Sequence, residues 1–312
     1  MRKALGVLVP VLALAFAVTL PFWSGPYPLA VARSVLTYLA LAVSWDMLLR
    51  SGQISFGIAG FFGLGAYAGA LGVLQAGMSP LVSILFAGVF AGLVALLLGF
   101  VILRLRAVYF SITTLALAEI FRVIAHNSGP FTGGPEGLVM PGLVFGGEMN
   151  ALYWVVLGAV VLAVLASVAF ERSRLRLALT AIRGNEVSAA SGGIHIFKYL
   201  VIAFVVSSFL QGIVGGIQVQ GYGFVSPDSA FDANYTLLPL AMALLGGMHS
   251  TTGPVIGALL LGVAAEFLKL KIPYGHLMVY GVIILLVILF MPQGLWGLLR
   301  GRRRRAPTMG GR

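Results

Sequence analysis

Three carboxylates, Asp46, Glu119 and Glu266, fall inside or beside long apolar runs. An ionised carboxylate in hydrocarbon is costly, so each must face a protein interior, a watery route or an interface; a lone one would be a proton or cation site. Each has a cation at helical spacing: Arg50 at i+4 from Asp46, Arg122 at i+3 from Glu119, and Lys269 at i+3 from Glu266. Such pairs meet on one helix face, so structural ion pairing accounts for the first two, and Glu266 is read as lying near an interface. The competing reading is an ion-coupled carrier working alone, with one of the three as its titrating group. Enzyme chemistry finds little to stand on. His126, His195, His249 and His276 are far apart and lack metal-ligand spacing. No Gly-rich phosphate loop precedes a Lys, and no HExxH run or Ser–His pair is picked out. There is no Cys, hence no disulfide or thiolate chemistry.

Two segments carry unusual polar patterns. The first runs Gly52-Gln53-Ile54-Ser55-Phe56-Gly57 and then alternates Gly with aromatics as far as Tyr67. Glycines let a ligand or a helix approach the backbone, and aromatics supply apolar walls. A small amphipathic solute would pass such a surface, and tight packing explains it equally well. The second, Glu171 to Lys198, is polar, cationic and Gly-broken, and too long for a tight turn. Within it Glu186 to Ser191 reads as a short helix flanked by Gly184 and Gly192, with Asn185 as N-cap and Glu186 at the positive end of the dipole. A capped helix lying between two spans can transmit force from a soluble partner.

The elements that must position these residues are membrane helices. The chain is 60% hydrophobic and 9% charged, with mean hydropathy +1.03, against about 25% charged in soluble domains. Long unbroken apolar runs indicate an all-α, polytopic helix bundle rather than the dyad alternation of a β-barrel. The expected spans are Ala4–Phe22, Ala30–Leu49, Ser55–Leu74, Leu81–Leu103, Val108–Ala125, Ala151–Phe170, Tyr199–Gln220, Tyr235–Gly247, Pro254–Leu268 and Leu277–Met291. The first is longer than the roughly 7–15 residues of a cleaved signal h-region, and is read as an uncleaved span. With the N-terminus inside, only Arg33, Arg122, Lys269 and Lys271 of the 20 Lys and Arg fall outside, which fixes the orientation with both termini cytoplasmic. Tyr235–Gly247, which contains Pro239, and Pro254–Leu268 are short for about 30 Å of hydrocarbon. They either both cross or form a re-entrant hairpin, giving ten or eight segments. Residues 1–299 thus make one transmembrane domain, with 171–198 as a cytoplasmic segment and 300–312 as a basic tail. The net charge of +11 reflects span ends and the tail Arg300 to Arg305, placed to meet lipid rather than nucleic acid.

Gly65/Gly69, Gly88/Gly92, Gly212/Gly216 and Gly253/Gly257 form small-xxx-small pairs that allow close helix approach. Two outer loops, His126 to Asn150 and Gly221 to Asn234, hold the acids Glu136, Glu148, Asp228 and Asp232. They are ordinary solvated loops or a docking rim for an extracytoplasmic partner.

The run Arg183-Gly-Asn-Glu-x-Ser-Ala-Ala-x-Gly-Gly-Ile, followed by Phe197-Lys198-Tyr199 and an apolar span, resembles the coupling segment of permeases of branched-chain amino-acid ABC importers, the LivM type. Gly52-Gln-Ile-Ser-Phe-Gly, Leu103-Arg-Leu-Arg-Ala-Val-Tyr-Phe110, Thr114-Leu-Ala-x-Ala-Glu119-Ile, Thr132-Gly-Gly134…Gly137 and Leu245-Gly-Gly-Met…Gly253-Pro-x-x-Gly257 are similar to that family's motifs, in its order, from about Leu36 to Gly294. His195 departs from the Asn or Asp expected after Gly-Ile. The resemblance implies the ABC importer permease fold, a bacterial inner-membrane location, a second homologous permease chain, two cytoplasmic ATPase subunits and an extracytoplasmic solute-binding protein. It implies no cofactor in this chain, ATP-Mg being bound by the ATPases. Arg183, Asn185, Glu186, Ala189, Ala190 and Gly192 are then expected to face the ATPase. Gln53, Ser55, Phe56, Gly57, Tyr109, Thr113, Thr114 and Glu119 are the expected solute-pathway residues. Urea or short-chain amide permeases share several of these motifs, so the solute stays open between these classes.

Overall fold

The computed structural model describes residues 17–140 and 148–271, together with 281, 282, 285, 294 and 295. Most of the first expected span, most of Leu277–Met291 and the tail 300–312 lie outside the described residues. In chain order the helices are α1 (Pro26–Leu49), α2 (Ile58–Leu74), α3 (Pro80–Ile102), α4 (Val108–Asn127), α5 (Gly129–Thr132), α6 (Met149–Arg172), α7 (Arg174–Gly184), α8 (Glu186–Ser191), α9 (Ile196–Tyr222), α10 (Pro227–Ala230), α11 (Asn234–Gly246) and α12 (Thr252–Lys271). Among the described residues, α1, α3, α4, α6, α9 and α12 are long and apolar enough to cross a membrane, and α2 is a shorter apolar helix of 17 residues.

Small residues set the centre of the bundle. A Cβ at Gly65 of α2 would collide with the Gly212 backbone of α9, and one at Gly215 with the Phe62 carbonyl. Gly88 of α3 faces Ile213 and Phe209 of α9, and Gly212 faces Ala91. The glycine pairs therefore bring α2, α3 and α9 into near backbone contact, gaining dispersion where no hydrophobic drive exists in lipid. A second seam of this kind joins α11 to α12, where Gly246 meets Gly253 and Gly257 meets the Met242 carbonyl.

The bundle has a basic end and an opposite end. Arg50, Arg106, Arg172 and Arg183 mark the first; Arg33, Tyr222 and Lys269 mark the second. The short helix α11, of 13 residues, starts inside the bundle, closer to the second end. Its Tyr235 stacks on Phe62 at 3.9 Å between centroids and on Tyr38 at 6.0 Å, and Tyr38 lies about 18 Å along α1 from Arg50 at 1.5 Å per residue. The chain reaches that depth from the opposite end, through α10 and Phe231, whose ring fills the space beside Gly63. So α10 and α11 form one interrupted crossing, and α12 returns in a single 20-residue helix. The re-entrant hairpin is thereby excluded. An irregular backbone at this depth is tolerable because protein surrounds it.

The two outer loops are not independent. Leu138 pairs with Val225 and Val139 with Phe224 in a two-residue antiparallel ladder. It covers the ends of α4 and α9 on the side away from the basic end.

Candidate functional site

The polar segment after α6 folds as two helices meeting at a knee. Ser173 begins α7, its Oγ accepting the Leu175 N–H at 3.3 Å. Ala178, Leu179 and Ile182 are buried and anchor α7 to the bundle, a stripe at helical spacing. Asn185 then turns extended (φ −162°, ψ 114°) and caps α8, its Oδ1 accepting the Ser188 N–H at 3.0 Å. Such a cap is worth about 1 kcal/mol, appreciable for a six-residue helix. Of the residues expected to face a partner, Arg183, Asn185, Ala190 and Gly192 are exposed, Glu186 is half-buried, and Ala189 turns inward and is buried. The outward surface also carries Leu177 and Val187, at 73% and 77% exposure.

Arg183 and Glu186 are both engaged by the bundle. The stem of Arg183 lies on Gly52, where a Cβ would stand 3.2 Å from Arg183 Cγ; Gly52 has φ +89°, a conformation natural to glycine alone. Although Arg183 is exposed as a residue, partial desolvation holds its pKa below its usual value, and the Asp46 charge opposes that shift. Glu186 Oε2 accepts Arg106 Nε at 2.7 Å, tying α8 to the link between α3 and α4. Arg106 lies in the quoted run Leu103 to Phe110, but nothing in its local spacing points to a partner eighty positions away.

Behind the knee is a buried polar clamp. Asp46 and Arg50 are 0% and 6% exposed and pair at 3.0 Å. Asp46 Oδ1 accepts the His249 N–H at 2.6 Å, and Arg50 Nη2 donates to Ser167 Oγ at 2.6 Å. Glu171 Oε1 accepts the Thr251 N–H at 2.6 Å, and Ser167 and Thr251 hydroxyls share a 2.7 Å bond. The clamp thus fixes the α11–α12 turn to α1 and α6. Partial burial and the nearby Arg183 and Arg50 charges push the His249 pKa down to about 4.

The Gln53–Gly57 segment folds back into the bundle before α2 begins, three residues later than the expected start at Ser55. Its polar groups serve the interrupted backbone. Trp45 Nε1 donates to the Ser55 carbonyl at 2.7 Å. Ser55 Oγ accepts the Gly57 N–H at 3.1 Å, Thr114 Oγ1 the Phe56 N–H at 3.0 Å, and Thr236 Oγ1 the Ala59 N–H at 3.1 Å. Gln53, Ser55, Gly57 and Thr114 are buried, Phe56 and Thr113 half-buried, and Tyr109 and Glu119 exposed. Gln53 donates to the Leu105 carbonyl at 3.4 Å, while its buried Oε1 has no partner. Thr236, unnoticed in the sequence because an isolated Thr carries no signal, closes this arrangement.

Only 22% of the apolar window of α4 is buried, against 72% for α9. The open face of α3 is wholly apolar, with Leu81, Leu85, Val89, Leu93 and Leu97 exposed, as lipid requires. That of α4 differs. Among Ile112, Leu115 and Ile120 it carries Glu119 and Arg122, bonded at 3.0 Å, and Arg122 Nη1 reaches Asp228 at 2.7 Å. Glu119 and Arg122 lie within about 12 Å of the outer end of α4 at 1.5 Å per residue, so this face lies against an interface, a watery route or further protein.

Residues 27–289 match the family model described as the permease component of branched-chain amino acid transport systems. The chain belongs to that family. It is 30% identical over 316 residues to the high-affinity branched-chain amino acid transport permease LivM of Escherichia coli K12, covering 92% of this chain and 74% of that protein. The probable LivM of Methanocaldococcus jannaschii is 29% identical over 287 residues, covering 82% and 81%. The permease LivH of Salmonella typhimurium is 32% identical over 152 residues, covering 48% and 47%. Among solved structures, PsaBC of Streptococcus pneumoniae, in complex with Fab, aligns at TM-score 0.50 with 14% identity, covering 92% of this chain and 99% of that chain, a likeness of fold. The permease is therefore a multi-pass membrane protein of the ABC transporter class.

Proposed function

We propose that this permease is one of two related transmembrane subunits of an ATP-driven importer for branched-chain, hydrophobic amino acids. Two cytoplasmic ATPase subunits bind and hydrolyse Mg-ATP, and an extracytoplasmic binding protein delivers solute. The permease itself makes and breaks no bonds and holds no cofactor. Its basic end is cytoplasmic, as are both termini, in a bacterial inner membrane. Closure of the ATPases pushes α8 through Asn185, Ala190, Gly192 and the outward Val187, and the bundle switches from outward- to inward-facing. The charged, open face of α4 meets the second permease across the solute route, where Tyr109, Thr113 and Glu119 are accessible. The observation that supports this most is the capped α7–α8 knee at the basic end of a chain whose family match spans residues 27–289.

A carrier driven by an ion gradient has less support. Asp46, Glu119 and Glu266 each pair with a cation, at 3.0, 3.0 and 2.8 Å, so none is a vacant ion ligand. The test is transport by the complete complex in vesicles. Charge reversal at Arg183 or Glu186 is expected to lower ATP-driven leucine uptake at least tenfold while leaving the permease in the membrane; urea is not carried. Normal leucine uptake by both reversed variants would overturn the assignment of this element.

A further inference from the structure

Arg106 sits in the short link between α3 and α4 and holds three groups at once. Its Nε donates to Glu186 Oε2 at 2.7 Å, and its Nη1 donates to the Leu103 carbonyl and, at 3.4 Å, to the Leu105 carbonyl. The guanidinium therefore joins the C-terminal end of α3 to the first residue of α8. The next residue, Ala107, has φ 49° and ψ −120°. Ala107 and His249 are the non-glycine residues at positive φ among the described residues. A side chain in that region is strained and persists only when its surroundings hold it. The direction of α4 is set at this one residue.

Beyond Ala107, α4 is the least buried of the six long helices. It rests on α2 through small contacts: Gly57 against Thr114, and Gly60 against Ala118, where a Cβ on the glycine would stand 3.0 Å from Ala118 Cα. Phe121 also lies against Gly60 and meets Phe61 edge-on at 6.2 Å between centroids, so a shift of α4 must carry this aromatic contact with it. At its far end Arg122 holds Asp228 at 2.7 Å. A lightly embedded helix thus has a strained hinge at its base and an ion pair from that hinge to α8.

We propose that Arg106 is a positioning residue that passes movement of α8 to α4. When α8 moves, the Glu186 carboxylate carries the guanidinium with it, the chain rotates at Ala107, and the charged face of α4 changes its exposure. A fork that bonds several acceptors in fixed directions is required; an ammonium at the same place supplies charge without that geometry. This inference rests on the reading of α8 as the element contacted by an ATPase, and extends it to the solute route.

The test uses the complete complex reconstituted in liposomes with binding protein and leucine, reading ATP hydrolysed and leucine moved in the same sample. Arg106→Glu is expected to keep the ATPase subunits bound and hydrolysing while leucine moved per ATP falls at least tenfold. Arg106→Lys should fall severalfold. The exchanged pair Arg106→Glu with Glu186→Arg restores the ion pair but not the bonds to the Leu103 and Leu105 carbonyls, so it should recover part of the loss, severalfold above Arg106→Glu alone, which a merely structural role for either residue would not produce. Normal coupling in Arg106→Glu overturns the proposal, as does an assembled exchanged pair that stays uncoupled. Val187→Cys, in a chain with no other Cys, separates the two readings. If it cross-links to an ATPase subunit while Arg106→Glu couples normally, only the relay falls. If it does not cross-link, the reading of α8 falls with it.

Discussion

Removing Arg50 should damage this permease far more than neutralising its partner. Arg50→Met leaves the Asp46 carboxylate, 0% exposed, with the His249 N–H as its remaining donor. It also strips Ser167 and Thr251 of a donor and leaves Glu171 without the cation 3.7 Å away. Breaking a buried pair in this sense costs about 3–5 kcal/mol, because the surviving charge stays desolvated. Asp46→Asn is the gentler change: its oxygen still accepts from His249, and Arg50 keeps the Ser167 carbonyl at 3.1 Å, the Ser167 hydroxyl and the nearby Glu171. That loss should be about 1.5–3 kcal/mol, as for a hydrogen bond to a charged group. The difference of about 1.5–2 kcal/mol corresponds to roughly a 13- to 30-fold change in the unfolding equilibrium, taking 1.36 kcal/mol per decade. Equilibrium unfolding of the full chain in detergent, followed by tryptophan emission, measures it. Trp45 is a useful reporter because it is buried beside Asp46 and bonded to the Ser55 carbonyl. The double variant Asp46→Leu with Arg50→Met should regain part of the loss. Equal destabilisation by Arg50→Met and Asp46→Asn would refute the reasoning that an unpaired buried charge, not a lost contact, dominates here.

Two further expectations use the same assay. His249 has a folded pKa of about 4 against 6.5 for the free side chain, so the unfolded chain binds its proton more readily. Its contribution favours folding above pH 6.5 and is lost progressively as pH falls towards 4; His249→Gln should flatten the stability profile within that window, and an unchanged slope would contradict the assigned environment. Gly65→Ala should destabilise by about 2 kcal/mol or more, since its methyl meets the Gly212 backbone and cannot be relieved by a rotamer change; Gly158→Ala, with open space at its Cβ, should be neutral or slightly stabilising.

The long helices were legible because hydrocarbon thickness dictates an apolar run of matching length. The expected Val108–Ala125, Leu81–Leu103 and Ala151–Phe170 differ from α4, α3 and α6 by at most two residues at either end, the extra turns being polar residues such as Glu171 and Arg172 that continue the helix past the apolar stretch. The short helix Glu186–Ser191 was legible through its Asn cap and flanking glycines, which are local signals. α7 was missed: interleaved arginines concealed the stripe of Ala178, Leu179 and Ile182. The Asp46–Arg50 and Glu119–Arg122 pairs could be read from spacing alone, and Glu266, read as lying near an interface, pairs with Lys269. The pairs that organise the candidate site could not, since Arg106–Glu186, Arg122–Asp228 and Thr236–Ala59 join distant elements whose meeting depends on the packing of the whole bundle. The Gln53–Gly57 run advertised something unusual without saying what: its polar groups turn out to satisfy a helix that begins below the surface.

The most direct measurement of the central claim places a cysteine at Val187 and maps it in sealed vesicles of known orientation with the ATPase subunits present. Labelling by an impermeant maleimide from the cytoplasmic side alone, and a cross-link to an ATPase subunit whose yield changes when ATP is added, are the predicted results. Labelling from the extracytoplasmic side, or a fully accessible cysteine that never contacts the ATPase with or without ATP, would contradict the account.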